Sequence, residues 1–88
     1  MEISTVISWM MAQLETDDCL YQDDVVDYLV RGNAEYLCRE NSEGNLVVGR
    51  TLLDAFRKQT ETSVVWVKPD RYWRYRVAED ESGRDASG

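Results

Sequence analysis

Residues 49–77, with the sequence GRTLLDAFRKQTETSVVWVKPDRYWRYRV, predict the fold more strongly than any other part of this 88-residue chain. The stretch begins with the pattern of an amphipathic helix. It continues as two runs rich in valine and aromatic residues, which is typical of paired strands. It also contains seven of the ten basic residues and two of the three tryptophans. We therefore expect a helix followed by a basic, aromatic β-hairpin.

The helix of this stretch is predicted to begin near residue 49. Its buried positions are Leu52, Leu53 and Phe56. The opposite face carries bases and acids at the spacing of four that favours ion pairs along a helix. The predicted pairs are Arg50 with Asp54, Asp54 with Lys58, and Arg57 with Glu61. The bases of this face are thus predicted to have acidic partners within the helix itself.

The hairpin consists of residues 64–67, a turn containing Pro69 and Asp70, and residues 72–77. In its second strand the period of two places Trp73, Tyr75 and Val77 on one face and Tyr72, Arg74 and Arg76 on the other. In one interpretation the aromatic residues are cross-strand partners facing the core, below a solvated arginine face. In another, the basic residues form a wing that binds nucleic acid.

The chain begins with a helix predicted over residues 3–14, whose apolar positions recur at helical spacing and fill one face. Trp9 lies at the edge of that face, where it either widens the core contact or meets another subunit. Residues 19–21 follow as a short extended segment.

A second helix is predicted over residues 23–31. Asp23 and Asp24 place carboxylates at the positive end of its dipole, and Gly32 with Asn33 supplies a C-terminal stop. Its buried positions are Val25, Val26, Tyr28 and Leu29.

The segment between the second and third helices is predicted to be a small β-hairpin. Its two apolar runs, residues 36–38 and 46–48, flank a polar turn in which Gly44 and Asn45 supply positive φ angles. A helical conformation of residues 35–39 is the alternative.

The net charge of −7 is distributed unevenly. Residues 1–49 carry two arginines against ten acids, and residues 50–77 carry seven bases against three acids. The overall excess of acid argues against sequence-independent binding to DNA or anionic lipid, which depends on neutralising phosphate. The opposite polarity of the two halves favours contact with a second copy or with an acidic partner.

The residue types that carry most enzyme chemistry are missing or poorly placed. The chain has no histidine, which removes the commonest general base and metal ligand. Cys19 follows two aspartates, which disfavour a thiolate, and Cys38 has only one adjacent arginine. The acidic residues of segment 17–27 lack the spacing of a calcium-binding loop. We expect a non-enzymatic protein without a catalytic residue, cofactor or metal.

Length and composition predict one domain over residues 1–77 and a disordered acidic tail over residues 78–88. No run of about 18 apolar residues predicts a membrane span. The acidic start lacks the basic cluster of a signal peptide, and the two cysteines are expected to be free thiols, so a cytoplasmic protein is predicted.

The order helix, short strand, helix, connecting segment, helix and two strands resembles a winged helix-turn-helix. The predicted fold class is therefore α+β and winged-helix-like, with three helices and a C-terminal two-stranded β-hairpin. The motifs are also similar to those of a family of small bacterial proteins associated with mobile integron gene cassettes. The likeness is carried by Leu20-Tyr21-Gln22, Glu43-Gly44-Asn45-Leu46, Phe56-Arg57-Lys58, Val64-Val65-Trp66 and Tyr72-Trp73-Arg74. It implies a compact α+β domain of bacterial, cytoplasmic origin and implies no activity.

Two features depart from a DNA-binding winged helix. The connection between the second and third helices is longer than the usual tight turn, and the third helix carries acids on its outer face. We therefore expect a protein-interaction module that binds a partner or associates with itself, as a homodimer for example. Its expected contact residues are Trp9, which the geometry of the first helix leaves exposed, and Tyr72, Arg74 and Arg76.

The alternative is a DNA-binding regulator that uses Arg50, Arg57 and Lys58 in the major groove and Lys68, Arg71, Arg74 and Arg76 in the wing.

Overall fold

A computed structural model of the chain describes residues 1–68 and 70–77. In chain order its elements are α1 (Ile3–Asp17), β1 (Cys19–Tyr21), α2 (Gln22–Arg31), β2 (Cys38–Glu40), β3 (Leu46–Val48), α3 (Arg50–Thr60), β4 (Val64–Val67) and β5 (Tyr72–Tyr75). The strands form two small antiparallel sheets, so the chain is an α+β protein with three helices among the described residues. The disorder predicted for residues 78–88 and the turn position of Pro69 lie outside those residues.

The larger sheet has the strand order β1-β5-β4. Trp73 lies in its central strand, directly opposite Leu20 on β1 and Trp66 on β4. Leu20 and Trp73 are buried and belong to the core, so this face of the sheet is turned toward the helices. Successive residues of a strand alternate between faces, which places Tyr21 and Tyr72 on the outer face.

The three helices cover the inner face of this sheet. Their fully buried apolar residues are Val6, Met10 and Leu14 on α1, Val25 and Leu29 on α2, and Leu52 and Phe56 on α3. The ring of Phe56 meets Trp73 nearly edge-on, with 5.3 Å between ring centroids. Such an arrangement places the positive edge of one ring against the negative face of the other.

The prediction that Leu53 is buried is wrong, since its side chain is 38% exposed. Leu53 lies about 100° around the helix from Leu52, and α3 turns only one of the two toward the sheet. The buried face of α3 consists of Leu52, Phe56 and, at its C-terminal end, Thr60. Its hydroxyl donates a hydrogen bond of 2.7 Å to the carbonyl oxygen of Phe56, which satisfies a polar group inside the core.

The helix ends differ from the predicted ones for local reasons. α1 extends to Asp17 because Asp18 adopts a left-handed conformation with φ of 62°, and its N–H caps the Leu14 carbonyl at 2.8 Å. After α2 the left-handed residue is Asn33, with φ of 59°, rather than Gly32. A short polar side chain thus takes the position that glycine often fills.

The connection between α2 and α3 combines both conformations that the sequence allows. A single 3₁₀ turn (Glu35–Leu37) comes first, and β2 and β3 then pair as a hairpin. In the turn between them the side-chain oxygen of Asn41 accepts hydrogen bonds from two backbone N–H groups, and Gly44 adopts φ of 80°. The turn therefore depends on an asparagine and a glycine at set positions.

Gln22 links this hairpin to the larger sheet. Its side-chain oxygen accepts a hydrogen bond from the Val48 N–H at 3.1 Å, and its own N–H donates to the Arg71 carbonyl at 3.0 Å. The start of α2 is therefore attached to β3 and to the residue that precedes β5.

Gly49 is required where the chain enters α3. Its N–H donates to the Leu37 carbonyl oxygen at 2.8 Å, and a Cβ atom added here would collide with that same oxygen. We expect Gly49→Ala to lower the free energy of unfolding by about 1–3 kcal/mol, because backbone must move to admit the methyl group. Urea denaturation followed by circular dichroism measures the change. Thr51→Ala, an exposed change two residues later, is the control and should stay within about 0.5 kcal/mol; equal losses would contradict the close approach.

Candidate interaction surface

A groove of about 530 Å³ lies between α1, β1 and α2. Its aromatic lining residues are Trp9, Tyr21 and Tyr28, and its charged ones are Asp17, Asp24, Asp27 and Arg31. We call this depression the α1–α2 groove. It combines aromatic rings with an excess of carboxylates, a composition that suits a cationic group better than an anionic one.

Trp9 lies on the α1 side of the groove. Its ring stacks on that of Tyr28 from α2, with centroids 4.0 Å apart and planes at 10°. Trp9 is half-buried, so the prediction that helix geometry leaves it exposed is wrong. The reason is that α2 packs beside α1 and places Tyr28 over the indole, a contact that the pattern of α1 alone does not contain.

The carboxylates of the groove differ in their partners. The carboxylate of Asp27 forms an ion pair with the guanidinium of Arg31, one turn along α2, at a distance of 3.0 Å, and both side chains are largely exposed. Such a pair contributes only a few tenths of a kcal/mol. Within residues 1–68 and 70–77 no basic group lies within 4.0 Å of the carboxylate of Asp17 or Asp24.

The outer face of the larger sheet continues from the groove. Tyr21, which lines the groove, is 46% exposed and lies opposite Tyr72 with 5.1 Å between ring centroids. Cys19, also in the groove lining, lies opposite Arg74. Directly opposite residues in antiparallel strands are only about 4.5–5.5 Å apart at Cα. The predicted contact residues Trp9, Tyr72 and Arg74 therefore lie in one region, on the two sides of β1.

The arginines of this region are not simply solvated. Arg74 and Arg76 are both half-buried. One guanidinium nitrogen of Arg74 donates to the Tyr75 carbonyl oxygen at 3.0 Å, and Val65, opposite Arg74 on β4, is fully buried. The register thus places Arg74 beside a buried apolar position of β4.

The other residues predicted to contact DNA, besides Arg74 and Arg76, lie on α3 and between β4 and β5. Arg57 and Lys58 are exposed on α3, and Arg50 is within 3.7 Å of Asp54. Of the three ion pairs predicted on α3, this is the only one within 4.0 Å in the described chain. Lys68 and Arg71 are exposed between β4 and β5.

The two thiols of the chain lie on β1 and β2. Cys19 and Cys38 are free and half-buried. Burial raises the pKa of the Cys38 thiol, and the negative charge of Glu35 raises it further, so the reactive thiolate is disfavoured.

Among the described residues no group of three or more histidine, cysteine, aspartate or glutamate side chains is arranged to hold a metal ion. None of the described helices has the length and apolar character needed to cross a membrane.

The residues that sequence reasoning missed are Tyr21, Tyr28 and Asp24. Its helical spacing predicts that Tyr28 is a core residue, and the sequence pattern explains Asp24 only by the helix dipole. One signal in the sequence pointed to Tyr21: a lone aromatic residue at the end of a very short strand has one side turned to solvent. Its pairing with Tyr72 depends on a strand far away in the chain.

The fold and the groove together define a small α+β protein with an open, acidic and aromatic surface depression. A family of unknown function (DUF6953) has a model that matches residues 2–75, and the chain belongs to this family. No curated protein and no solved structure gives a significant match. The similarity to integron cassette proteins and the bacterial origin therefore stay predictions.

Proposed function

We propose that this protein is a small non-enzymatic interaction module that binds other protein surfaces, including a second copy of itself. Its contact surface consists of the α1–α2 groove and the adjoining outer face of β1 and β5. The observation that carries the proposal is the position of two aromatic pairs, Trp9 with Tyr28 and Tyr21 with Tyr72, on the two sides of β1. Aromatic residues are enriched at protein interfaces and dominate their binding energy.

The charge of this surface supports association between copies. Its helical side carries Asp17 and Asp24, and its strand side carries Arg71 and Arg74. A twofold axis brings the same patch of both copies together, so acids of one copy face bases of the other. Opposite charges placed in this way speed encounter and select the orientation of the two copies.

The winged-helix interpretation belongs to the same proposal. It is supported by the order of the helices and strands, and by β1, which joins the antiparallel β4–β5 pair to complete the sheet. DNA binding is the less favoured use of this architecture. In a helix-turn-helix the helix before the recognition helix crosses the DNA backbone. Here α2 exposes Asp23, Asp24 and Asp27, which repel phosphate.

Self-association tests the proposal directly. We expect the protein to sediment at more than the mass of one chain, and Tyr21→Ser to weaken the association by about tenfold or more, as loss of an interface aromatic residue does. Trp9→Ala should act in the same direction, although it also removes a stacking contact of about 0.5–1.5 kcal/mol from the folded monomer. Sedimentation equilibrium over a range of concentrations measures both.

The matched control is Tyr36→Ser, because Tyr36 is 68% exposed and lies on the 3₁₀ turn outside the proposed surface. It should leave the association unchanged. A mass of one chain at every concentration, or equal effects of the two tyrosine variants, would contradict the proposed surface. Binding to a random-sequence DNA duplex that falls steeply as salt is raised would instead favour the regulator.

A further inference from the structure

We propose that the α1–α2 groove binds an extended, arginine- or lysine-bearing segment of a partner protein, which pairs through its backbone with the free edge of β1. The inference rests on the proposed function, because the groove is one part of the proposed contact surface. It adds the chemistry and the conformation of the bound segment.

The free edge of β1 determines the conformation of this segment. β1 is the outermost strand of the order β1-β5-β4, and within the described residues β5 is its only partner strand. Cys19, Leu20 and Tyr21 all line the groove, although successive side chains of a strand point to opposite faces. The edge of the strand itself therefore borders the groove. Such an edge presents unpaired N–H and C=O groups, and an added strand from another chain satisfies them.

The carboxylates determine the charge of the segment. Asp17 precedes β1 and Asp24 follows it, so the two flank a strand of three residues that spans about 10 Å. An extended peptide places every second side chain on one face and so brings basic residues to both ends of this span. The groove contains three aspartates against Arg31 as the single base in its lining. The net negative charge of the groove therefore attracts a cationic segment.

The α1–α2 groove already contains one guanidinium group, that of Arg31. Arg31 lies 3.0 Å from Asp27, with 80% of its side chain exposed to solvent. An exposed pair of this kind is weak, so an incoming arginine can replace it at little cost. An arginine of a partner can therefore pair with Asp27 in the same way as Arg31 does.

The stacked rings complete the site. Trp9 and Tyr28 lie parallel at the border of the groove, beside the acidic residues of α2. A guanidinium packs well on an aromatic face, and tryptophan is the best of the aromatic residues for this contact. An apolar segment would bury Asp17 and Asp24 without partners, and an anionic one would be repelled. A cationic segment avoids both costs.

A fluorescein-labelled peptide of alternating arginine and threonine tests the inference by fluorescence anisotropy. We expect saturable binding and a loss of about tenfold or more in affinity for the double variant Asp17→Asn, Asp24→Asn, since it removes two facing charges. The control double variant Glu43→Gln, Glu61→Gln removes the same charge from exposed positions outside the groove. It should change the affinity by about twofold at most, because neither residue lines the groove and salt screens the attraction between exposed charges as their distance grows.

Two further arms test the mode of binding. A peptide N-methylated at alternate residues keeps its charge but cannot pair with a strand edge, and we expect it to bind about tenfold more weakly. The same peptide with glutamate in place of arginine should not bind. Asp17→Asn alone provides a second variant, because Asp17 ends α1 and its charge does not support the start of α2.

Absence of binding would overturn the inference. Equal losses in the two double variants would overturn it as well, since they would mean attraction by net charge alone. Equal affinity of the N-methylated peptide would overturn the pairing with β1. Sedimentation of the same samples distinguishes this inference from the proposed self-association. A monomer that binds the peptide would contradict only the self-association, and an oligomer that does not bind it would contradict only the peptide site.

Discussion

Replacing Trp73 by alanine is expected to lower the free energy of unfolding by about 3–5 kcal/mol, the usual cost of removing a buried tryptophan. Trp73 is 1% exposed in the central strand of the larger sheet. It contacts Phe56 edge-on and lies opposite Leu20 and Trp66, so its removal leaves a cavity that touches α3, β1 and β4. A domain of this size has a total stability of about 5–15 kcal/mol, and the loss is a large share of it.

Urea denaturation followed by far-ultraviolet circular dichroism measures this change. If Trp73→Ala is unfolded without denaturant, Trp73→Phe supplies the measurable value, since it keeps a ring in the cavity and should cost less. Trp66→Ala is the matched control. Trp66 is half-buried on an edge strand, with its ring 4.8 Å from that of Trp73, and should lose less stability than Trp73 does. Equal losses at the two positions would contradict the orientation of β4 and β5.

Leu52→Ala is expected to lower the free energy of unfolding by about 2–5 kcal/mol, and Leu53→Ala by less than about 1 kcal/mol. Leu52 is fully buried against the core, whereas its neighbour Leu53 is 38% exposed. The two variants make the same chemical change and gain the same helix propensity, so the difference between them reports burial alone.

The midpoints of chemical denaturation measure this difference, and equal slopes show that both variants unfold from a similar compact state. The sequence pattern predicts that both leucines are buried, and in that case both variants would lose several kcal/mol. A larger loss at Leu53 than at Leu52 would mean that α3 is rotated about its axis relative to the structure.

Stability and association are expected to respond to different residues. Tyr21, Asp17 and Asp24 are exposed, so their replacement changes the groove while the core keeps its packing. Trp73, Leu52 and Phe56 are buried, and they support the surface only by holding β1, β5 and α3 in place. A variant that alters association without altering the denaturation midpoint therefore reports on the surface itself.

Much of the architecture is determined by local pattern. The spacing of Val6, Met10 and Leu14 predicts the buried face of α1, and the structure buries all three. The alternation of the last strand separates Trp73 from Tyr72, as their burial shows. These features follow from the periods of 3.6 and 2 residues, which depend only on neighbours along the chain.

The ion pairs along α3 are harder to predict from the sequence than the buried faces of the helices and strands. Three pairs on α3 have the right spacing, but only Arg50 and Asp54 come within 4.0 Å among the described residues. Exposed long side chains gain little from pairing and lose rotamer freedom when they do. Spacing therefore permits such a pair without determining it.

The amino-acid sequence alone determined the three helices, the acidic and basic halves and the absence of histidine. Only the tertiary structure decided that Trp9 stacks on Tyr28, that Tyr21 meets Tyr72, and that the edge of β1 borders an acidic groove. Each of these contacts joins residues from different elements. Their meeting depends on how α1, α2 and β5 pack around one core, whereas the pattern within each element records only which side of it is buried.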